Sequence, residues 1–296
     1  SQPISEGGQN WTSKPNQTQA RAVEGGWKIS GFKKFASLAG YCDYYTIVCT
    51  EVFEGQEPRH EDTMLFVVHK DAPGLSVKGD WDPLGMRGTN SRDLILKDVF
   101  VTRDDLLMPR GIFGKTLPNW PHMMATLSPT YMGVAQGAFD FTLDYLKGKV
   151  PGQPPIDRRM YATKRVAVSK MYARLANMRA LWWQAFSECK GFPSKGEVMR
   201  MYAAQYNVME GVQEIAAMAI RTCGGQSMLK SLPLERMYRD SRCGALMLPY
   251  TSEIMEDYIG VLALYEMDEL DSAPGDEGGA RNSLWRGDSG TLRMLR

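Results

Sequence analysis

The apolar positions change period once along the chain. Over residues 24–110 they come in short runs that alternate with polar residues: "GWKISGFKKFAS" (26–37), "DYYTIVCTEV" (43–52), "DTMLFVVHKD" (62–71) and "DLILKDVFV" (93–101). β-Branched and aromatic residues fill these runs, and Gly and Pro punctuate them in "DAPGLSV" and "DPLGMRG". The pattern predicts five or six short strands forming a small sandwich or barrel. From about residue 117 the spacing becomes helical. Four amphipathic stretches follow, "MGVAQGAFDFTLDYLKGK" (132–149), 157–191, 197–225 and "TSEIMEDYIGVLALYEMDEL" (251–270). Gly191, Gly224 and Gly225 are placed to end helices, and Thr251 or Ser252 to begin one. The pattern therefore predicts an α+β chain. A β-domain at 1–112 precedes an antiparallel four-helix bundle at 113–268, and the Gly-, Ser- and charge-rich stretch 269–296 reads as a flexible tail.

Composition narrows the function classes. A formal net charge of +1 leaves no basic stripe to hold a nucleic acid, so none is expected as a partner. No apolar run reaches the length of a membrane span. The opening "SQPISEGGQN" has neither the basic nor the apolar region of a signal peptide. Five scattered cysteines form no CxxC pair, which fits reduced thiols and a cytoplasmic location. The three histidines have no metal-ligand spacing, so no metal site is expected. The many methionines on the helices read most simply as core filler.

Four ordered motifs say more. "WDPLGMRGTNSRDLILKDVFV" resembles a β-domain signature of the acyl-CoA dehydrogenase family through Gly85, Arg87, Thr89, Ser91, Asp98, Val99 and Val101. "EGGWKISGFKKFAS" is similar to a second segment of that family, "CGGQSMLKSLPLERMYRDSR" to a third, and "TSEI" (251–254) to the run after the family's catalytic position. The resemblance covers about residues 3–268. It implies the α+β fold above, with a further helical domain ahead of the first motif. That domain would be carried on another polypeptide, cut away or left out of this sequence.

The resemblance also implies FAD, an acyl-CoA thioester as substrate, an electron-transfer acceptor, and assembly as a dimer or tetramer, either with itself or with a different chain of the same family. Phe35 would lie against the flavin ring and Ser37 would donate to its edge; without the other motifs, Phe35 reads first as an inward strand residue. Ser5 would bond the ring edge, with Ile4 offering backbone contacts. Gly224 and Gly225 match a turn that approaches a neighbouring subunit's cofactor, and also read as an ordinary helix cap. Lys149 stands where the family has an Arg for the pyrophosphate, with Gln153 close behind. Thr251 and Glu253 fall where the family meets its cofactor, and Thr251 is also a plain N-cap. The chain departs from the pattern at Gly7, Asn10, Trp11, Thr12 and Ser227.

One departure bears on chemistry. α,β-Dehydrogenation of a thioester needs a general base at the α proton. The family places Glu two residues before the Thr-Ser pair, and here that residue is Pro249. Residues 116–139 contain no Asp, Glu, Lys or Arg, which leaves His122 as the catalytic candidate, or as a structural histidine at a helix start. Three readings stand. The first, which the motifs favour, is an FAD-dependent acyl-CoA dehydrogenase whose base is displaced or supplied by a partner chain. The second is a flavin monooxygenase on the same fold, which needs no α-proton base. The third is a non-catalytic subunit of a heteromeric dehydrogenase.

Overall fold

The computed structural model describes residues 1–7, 14–113, 126–247 and 251–265. These fall into two compact units. One holds residues 1–83 and 87–113, and the other holds Leu84–Met86 with residues 126–265.

The first unit is one seven-stranded sheet in the order β5-β6-β2-β1-β3-β4-β7. Its strands are β1 (Gln19–Val23), β2 (Gly26–Ala36), β3 (Tyr44–Glu51), β4 (Thr63–His69), β5 (Leu75–Lys78), β6 (Arg92–Thr102) and β7 (Leu106–Met108). β1 pairs with β3 in parallel, and every other pairing is antiparallel. Alternate residues of these runs make one core, including Ile29, Tyr45, Ile47, Phe66, Leu94 and Val99. β2 and β6 form the longest pairing, and it slips register twice, between Ile29 and Gly31 and between Lys33 and Ala36. Each slip is a bulge that bends the strand and re-aims the next side chain.

A lysine is buried in this sheet. Lys33 is fully buried, and its Nζ donates to Glu6 Oε1 at 2.6 Å, to Asn16 Oδ1 at 3.3 Å and to the Ile4 carbonyl at 3.3 Å. The Glu6 carboxylate also accepts the backbone N–H groups of Gln17 at 2.5 Å and Thr18 at 2.9 Å. Burial pulls the Lys33 pKa below its ordinary value, and the Glu6 charge pulls it back up. A separate bond from Lys34 N–H to the Ser5 carbonyl (2.7 Å) lays residues 4–6 against β2.

The second unit contains five α-helices among the described residues: α1 (Ser128–Leu146), α2 (Ala162–Glu188), α3 (Lys195–Cys223), α4 (Leu234–Cys243) and α5 (Ser252–Leu264). α3 touches each of the other four and buries Val198, Met201, Val208, Met209, Val212 and Ile215 among them. It opens with a capping box in which Ser194 Oγ receives the Glu197 N–H and Glu197 answers the Ser194 N–H. The four long helices lie where the helical spacing predicts them. α4 is additional. It has ten residues, "LERMYRDSRC", and buries only Leu234 and Ser241; its apolar residues recur at helical spacing, but the stretch is too short and too charged to stand out as a helix.

α4 has a specific task within this unit. The Arg239 guanidinium is held by Glu235 at 2.9 Å and donates to the Leu84 carbonyl at 2.9 Å. Asp240 Oδ1 accepts the Met86 N–H at 2.6 Å. Between them, a Cβ on Gly85 would stand 2.3 Å from the Arg239 carbonyl oxygen, closer than van der Waals contact permits. The "LGM" of one family motif is therefore clasped by the "ERMYRD" of another.

Two substitutions test these contacts. Glu6→Ala leaves the Lys33 charge buried without its partner and should cost about 3–5 kcal/mol. Urea unfolding followed by circular dichroism reads the loss, and a loss below about 1 kcal/mol, the level of an exposed ion pair, would show that the pair is not sealed from water. Gly85→Ala forces the clasp apart and should cost about 1–3 kcal/mol, seen as a lowered thermal midpoint. An unchanged midpoint would mean that the clasp yields.

Candidate functional site

The bulge at the end of β2 carries the first cluster of expected residues. Phe35 has φ 58°, a left-handed backbone that bulky residues rarely adopt, and its side chain is 59% exposed. It does not point inward as a strand residue would. The register slip turns it outward while Ala36 takes the core position. The Phe35 ring meets Trp81 edge-on at 6.2 Å between centroids. Two further residues nearby are left-handed, Leu38 (φ 60°) and Asn90 (φ 44°). Such residues cost about 1–3 kcal/mol each and persist where surrounding bonds over-determine them. Here Leu38 N–H donates to the Thr89 carbonyl at 2.7 Å, and Asn90 Nδ2 donates to the Ala39 carbonyl at 2.8 Å.

Ser37 is exposed beside this turn. Its hydroxyl lies 2.9 Å from that of Ser91, which lies 2.7 Å from that of Thr89. Ile4 and Ser5 run along Lys33 and Lys34, so the structure brings them next to the residue before Phe35. A strained, exposed aromatic beside an exposed hydroxyl can hold a flat, partly apolar ring and present a hydrogen bond to its edge.

The second cluster lies at one end of the helical unit. Gly224 caps α3 with φ +87°, and its N–H donates to the Ile220 carbonyl at 2.9 Å. The fully buried Ser227 donates to the Gly224 carbonyl at 2.7 Å and fixes the turn that follows. A Cβ on Gly224 or Gly225 would meet nothing within 4 Å, so the backbone here is open to approach. It is a helix cap and an approachable backbone at once. Gln153 stands with Gln226, Tyr145, Gly148 and Arg158 around one small pocket. Arg158 stacks over the Tyr145 ring at 4.6 Å, and Tyr145 Oη donates to Gln226 Oε1 at 3.2 Å. Lys149 is exposed on the adjoining turn and is not part of this lining.

Three residues before Gly224, Arg221 lines an open groove of about 340 Å³ with Lys164, Lys170, Thr163 and Thr222. The lining contains three cationic side chains and no carboxylate, so the groove suits a phosphate-bearing group. Sequence reasoning missed Arg158, Lys164 and Arg221. They lie outside any motif, and only the packing of α2 against α3 gathers the last two.

The third cluster is the start of α5. Thr251 is its N-cap, and its hydroxyl accepts the Ile254 N–H at 3.4 Å. Glu253 is exposed in the first turn. Its own backbone N–H, and then the Thr251 hydroxyl, hold its carboxyl below the usual range. Ser252 donates to Glu210 of α3 and ties this helix start to the bundle. His122, Pro249 and Tyr250 lie outside the described residues. Among the described residues there is no cluster that could hold a metal ion and no helix long and apolar enough to cross a membrane.

Comparison with known proteins gives these clusters a context. Residues 5–99 match the model of the acyl-CoA dehydrogenase middle domain, and residues 122–261 match that of the acyl-CoA dehydrogenase C-terminal domain. The chain is 31% identical over 261 residues to the L-evernosamine nitrososynthase of Micromonospora sp. (strain ATCC 39149 / NRRL 15099 / SCC 1413), covering 81% of this chain and 58% of that protein. It is 28% identical over 239 residues to the putative acyl-CoA dehydrogenase YdbM of Bacillus subtilis (strain 168), covering 77% and 58%. It therefore spans less than two thirds of the length of either relative. Among solved structures, KijD3 in complex with FMN and dTDP-3-amino-2,3,6-trideoxy-4-keto-3-methyl-D-glucose superposes with a TM-score of 0.71 at 26% identity, covering 85% of this chain and 63% of that one.

The strain at Phe35 can be tested without any ligand. Glycine adopts the left-handed region freely, so Phe35→Gly should leave unfolding stability within about 1 kcal/mol of the parent or raise it. Phe66→Ala, in the core of the same sheet, should cost about 3–5 kcal/mol. Urea midpoints for the two variants check this, and equal losses would mean that Phe35 serves the core after all.

Proposed function

The chain belongs to the acyl-CoA dehydrogenase family, and from that premise we propose that it is a flavoprotein monooxygenase that oxidises an amine on a sugar-like substrate. The observation that carries this reading is the missing base: Pro249 stands where the family's carboxylate would be, and residues 116–139 hold no carboxylate in its place. Oxygenation at an amine nitrogen removes no α proton from a thioester, so the loss of that carboxylate leaves the reaction intact. The likeness to a nitrososynthase and to a flavin-bound structure with an amino-sugar nucleotide points the same way.

The residues of these clusters fit a flavin. Phe35, exposed on strained backbone, would pack against the isoalloxazine ring, and Ser37 would bond its edge, with the backbone of Ile4 and Ser5 alongside. The open Gly224–Gly225 backbone, Gln153 and Arg158 would meet the phosphate end of a cofactor from a neighbouring copy, joined by Lys164 and Arg221 in the cationic groove. Lys149 and the Thr251-capped start of α5 would complete the phosphate contacts, and Glu253, an anion, would meet another part of the cofactor. Bound and reduced, the flavin supplies the activation of dioxygen. The protein's part is to hold the ring, exclude water from it and orient the amine.

A second reading is α,β-dehydrogenation of an acyl-CoA thioester. The retained "TSEI" and the likeness to YdbM favour it. His122, or a residue of a partner chain, would then remove the proton.

The visible spectrum of the purified protein, titrated with FAD and with FMN, separates the readings. Flavin bands that stay oxidised under an anaerobic panel of acyl-CoA thioesters, with turnover of an amino-sugar nucleotide once a flavin reductase and oxygen are added, are the expected result. Bleaching by one thioester would instead establish the dehydrogenase, and His122→Ala should then slow the bleaching by about a hundredfold or more. A protein that binds neither flavin would be a partner subunit, and both readings would fall. Phe35→Gly, which spares the fold, should weaken flavin retention about tenfold or more.

A further inference from the structure

Ser91 is the one buried member of a row of three hydroxyls, at 6% exposure, with Ser37 on one side at 2.9 Å and Thr89 on the other at 2.7 Å. A serine hydroxyl has one proton to donate and two lone pairs to accept, so Ser91 can donate to only one of its two neighbours, and the row can pass its protons in either of two senses. When Thr89 donates to Ser91, Ser91 donates to Ser37, and the Ser37 proton is left pointing out of the row. When the sense reverses, Ser37 presents a lone pair outward instead. The backbone on both sides is clamped: Leu38 N–H donates to the Thr89 carbonyl at 2.7 Å, and Arg92 N–H to the Asn90 carbonyl at 3.0 Å. These bonds hold the backbone that carries the three hydroxyls.

From this geometry we infer that Ser91 is a positioning residue for Ser37, anchoring its hydroxyl oxygen at the flavin edge while leaving the proton able to turn, so that Ser37 meets that edge as donor or as acceptor. The inference rests on the flavin reading above and extends it to a residue that touches no cofactor. An oxidised flavin edge nitrogen accepts a hydrogen bond, and a reduced one carries a hydrogen and donates. A reversible hydroxyl row serves both states, and a single exposed serine free to rotate serves neither as well. Ser91 is buried and acts only through Ser37, which separates its role from that of a general packing residue.

A double-mutant cycle on the full chain tests this, with flavin affinity as the readout. Dissociation constants for oxidised FAD are measured by absorbance titration for the parent, Ser37→Ala, Ser91→Ala and the double variant, with Ser91→Thr as the conservative control. Ser91→Ala should weaken binding about five- to tenfold when Ser37 is present and leave it unchanged when residue 37 is already alanine. Ser91→Thr should restore the parent value, and thermal midpoints report that each variant is folded. Equal weakening in both backgrounds would overturn the inference, because Ser91 would then act on the site without Ser37. So would a Ser91→Ala variant that binds as tightly as the parent. A parent protein that binds no flavin at all would remove the flavin reading itself, and this inference with it.

Discussion

The candidate ring site depends on a charge placed where a sheet core expects an apolar side chain. Lys33 occupies an inward position of β2, and it can stay there only because Glu6 meets it at 2.6 Å. Glu6 is in turn held by the N–H groups of Gln17 and Thr18. A pair of this kind adds little net stability compared with an apolar substitute, since desolvation offsets most of the attraction. Its effect is one of register. The carboxylate has to sit over Lys33, so residues 4–6 lie along β2, one residue from the bulge that turns Phe35 outward. An apolar side chain at position 33 would remove this anchor and leave the segment to the backbone bonds at Ser1 and Ser5.

The same two residues mark where the sequence misleads. "GWKISGFKKFAS" alternates well enough to announce a strand, and the strand is there. Simple alternation, though, would put Phe35 on the same inward face as Ile29 and Lys33. The slip between Lys33 and Ala36 shifts the pattern by one residue, which moves every later side chain to the other face. A bulge set by hydrogen bonding to β6 leaves no trace in hydrophobicity. The long helices were legible because each buries several residues at helical spacing. α4 was not, because it is short and half charged: it packs on α1 and α3 with few apolar residues, and its charged residues hold backbone atoms of Leu84 and Met86.

The clusters differ in how far motifs could reveal them. Phe35, Ser37 and Gly224 stand inside segments that resemble family signatures, so they could be named by position. Arg158, Lys164 and Arg221 could not, since cations gathered from two helices and a loop have no common spacing. The motifs themselves divide by task. The Arg239 and Asp240 of "PLERMYRD" hold Leu84–Met86 and are not part of the candidate ring site. Resemblance across such a run therefore identifies the architecture. On the proposed reading, the reaction would be decided elsewhere, at single positions such as Pro249.

The clasp between α4 and Leu84–Met86 has a consequence for dissecting the protein. Three residues that lie between β5 and β6 in the chain belong physically to the helical unit. Cutting the gene between the strands and the helices would therefore produce two incomplete pieces. The strand fragment would display an "LGM" loop stripped of its carboxylate and guanidinium partners. The helical fragment would keep Arg239 and Asp240 aimed at an empty slot. A helical fragment meant to be studied alone would need that tripeptide returned to it, by a grafted linker or as a peptide added in trans.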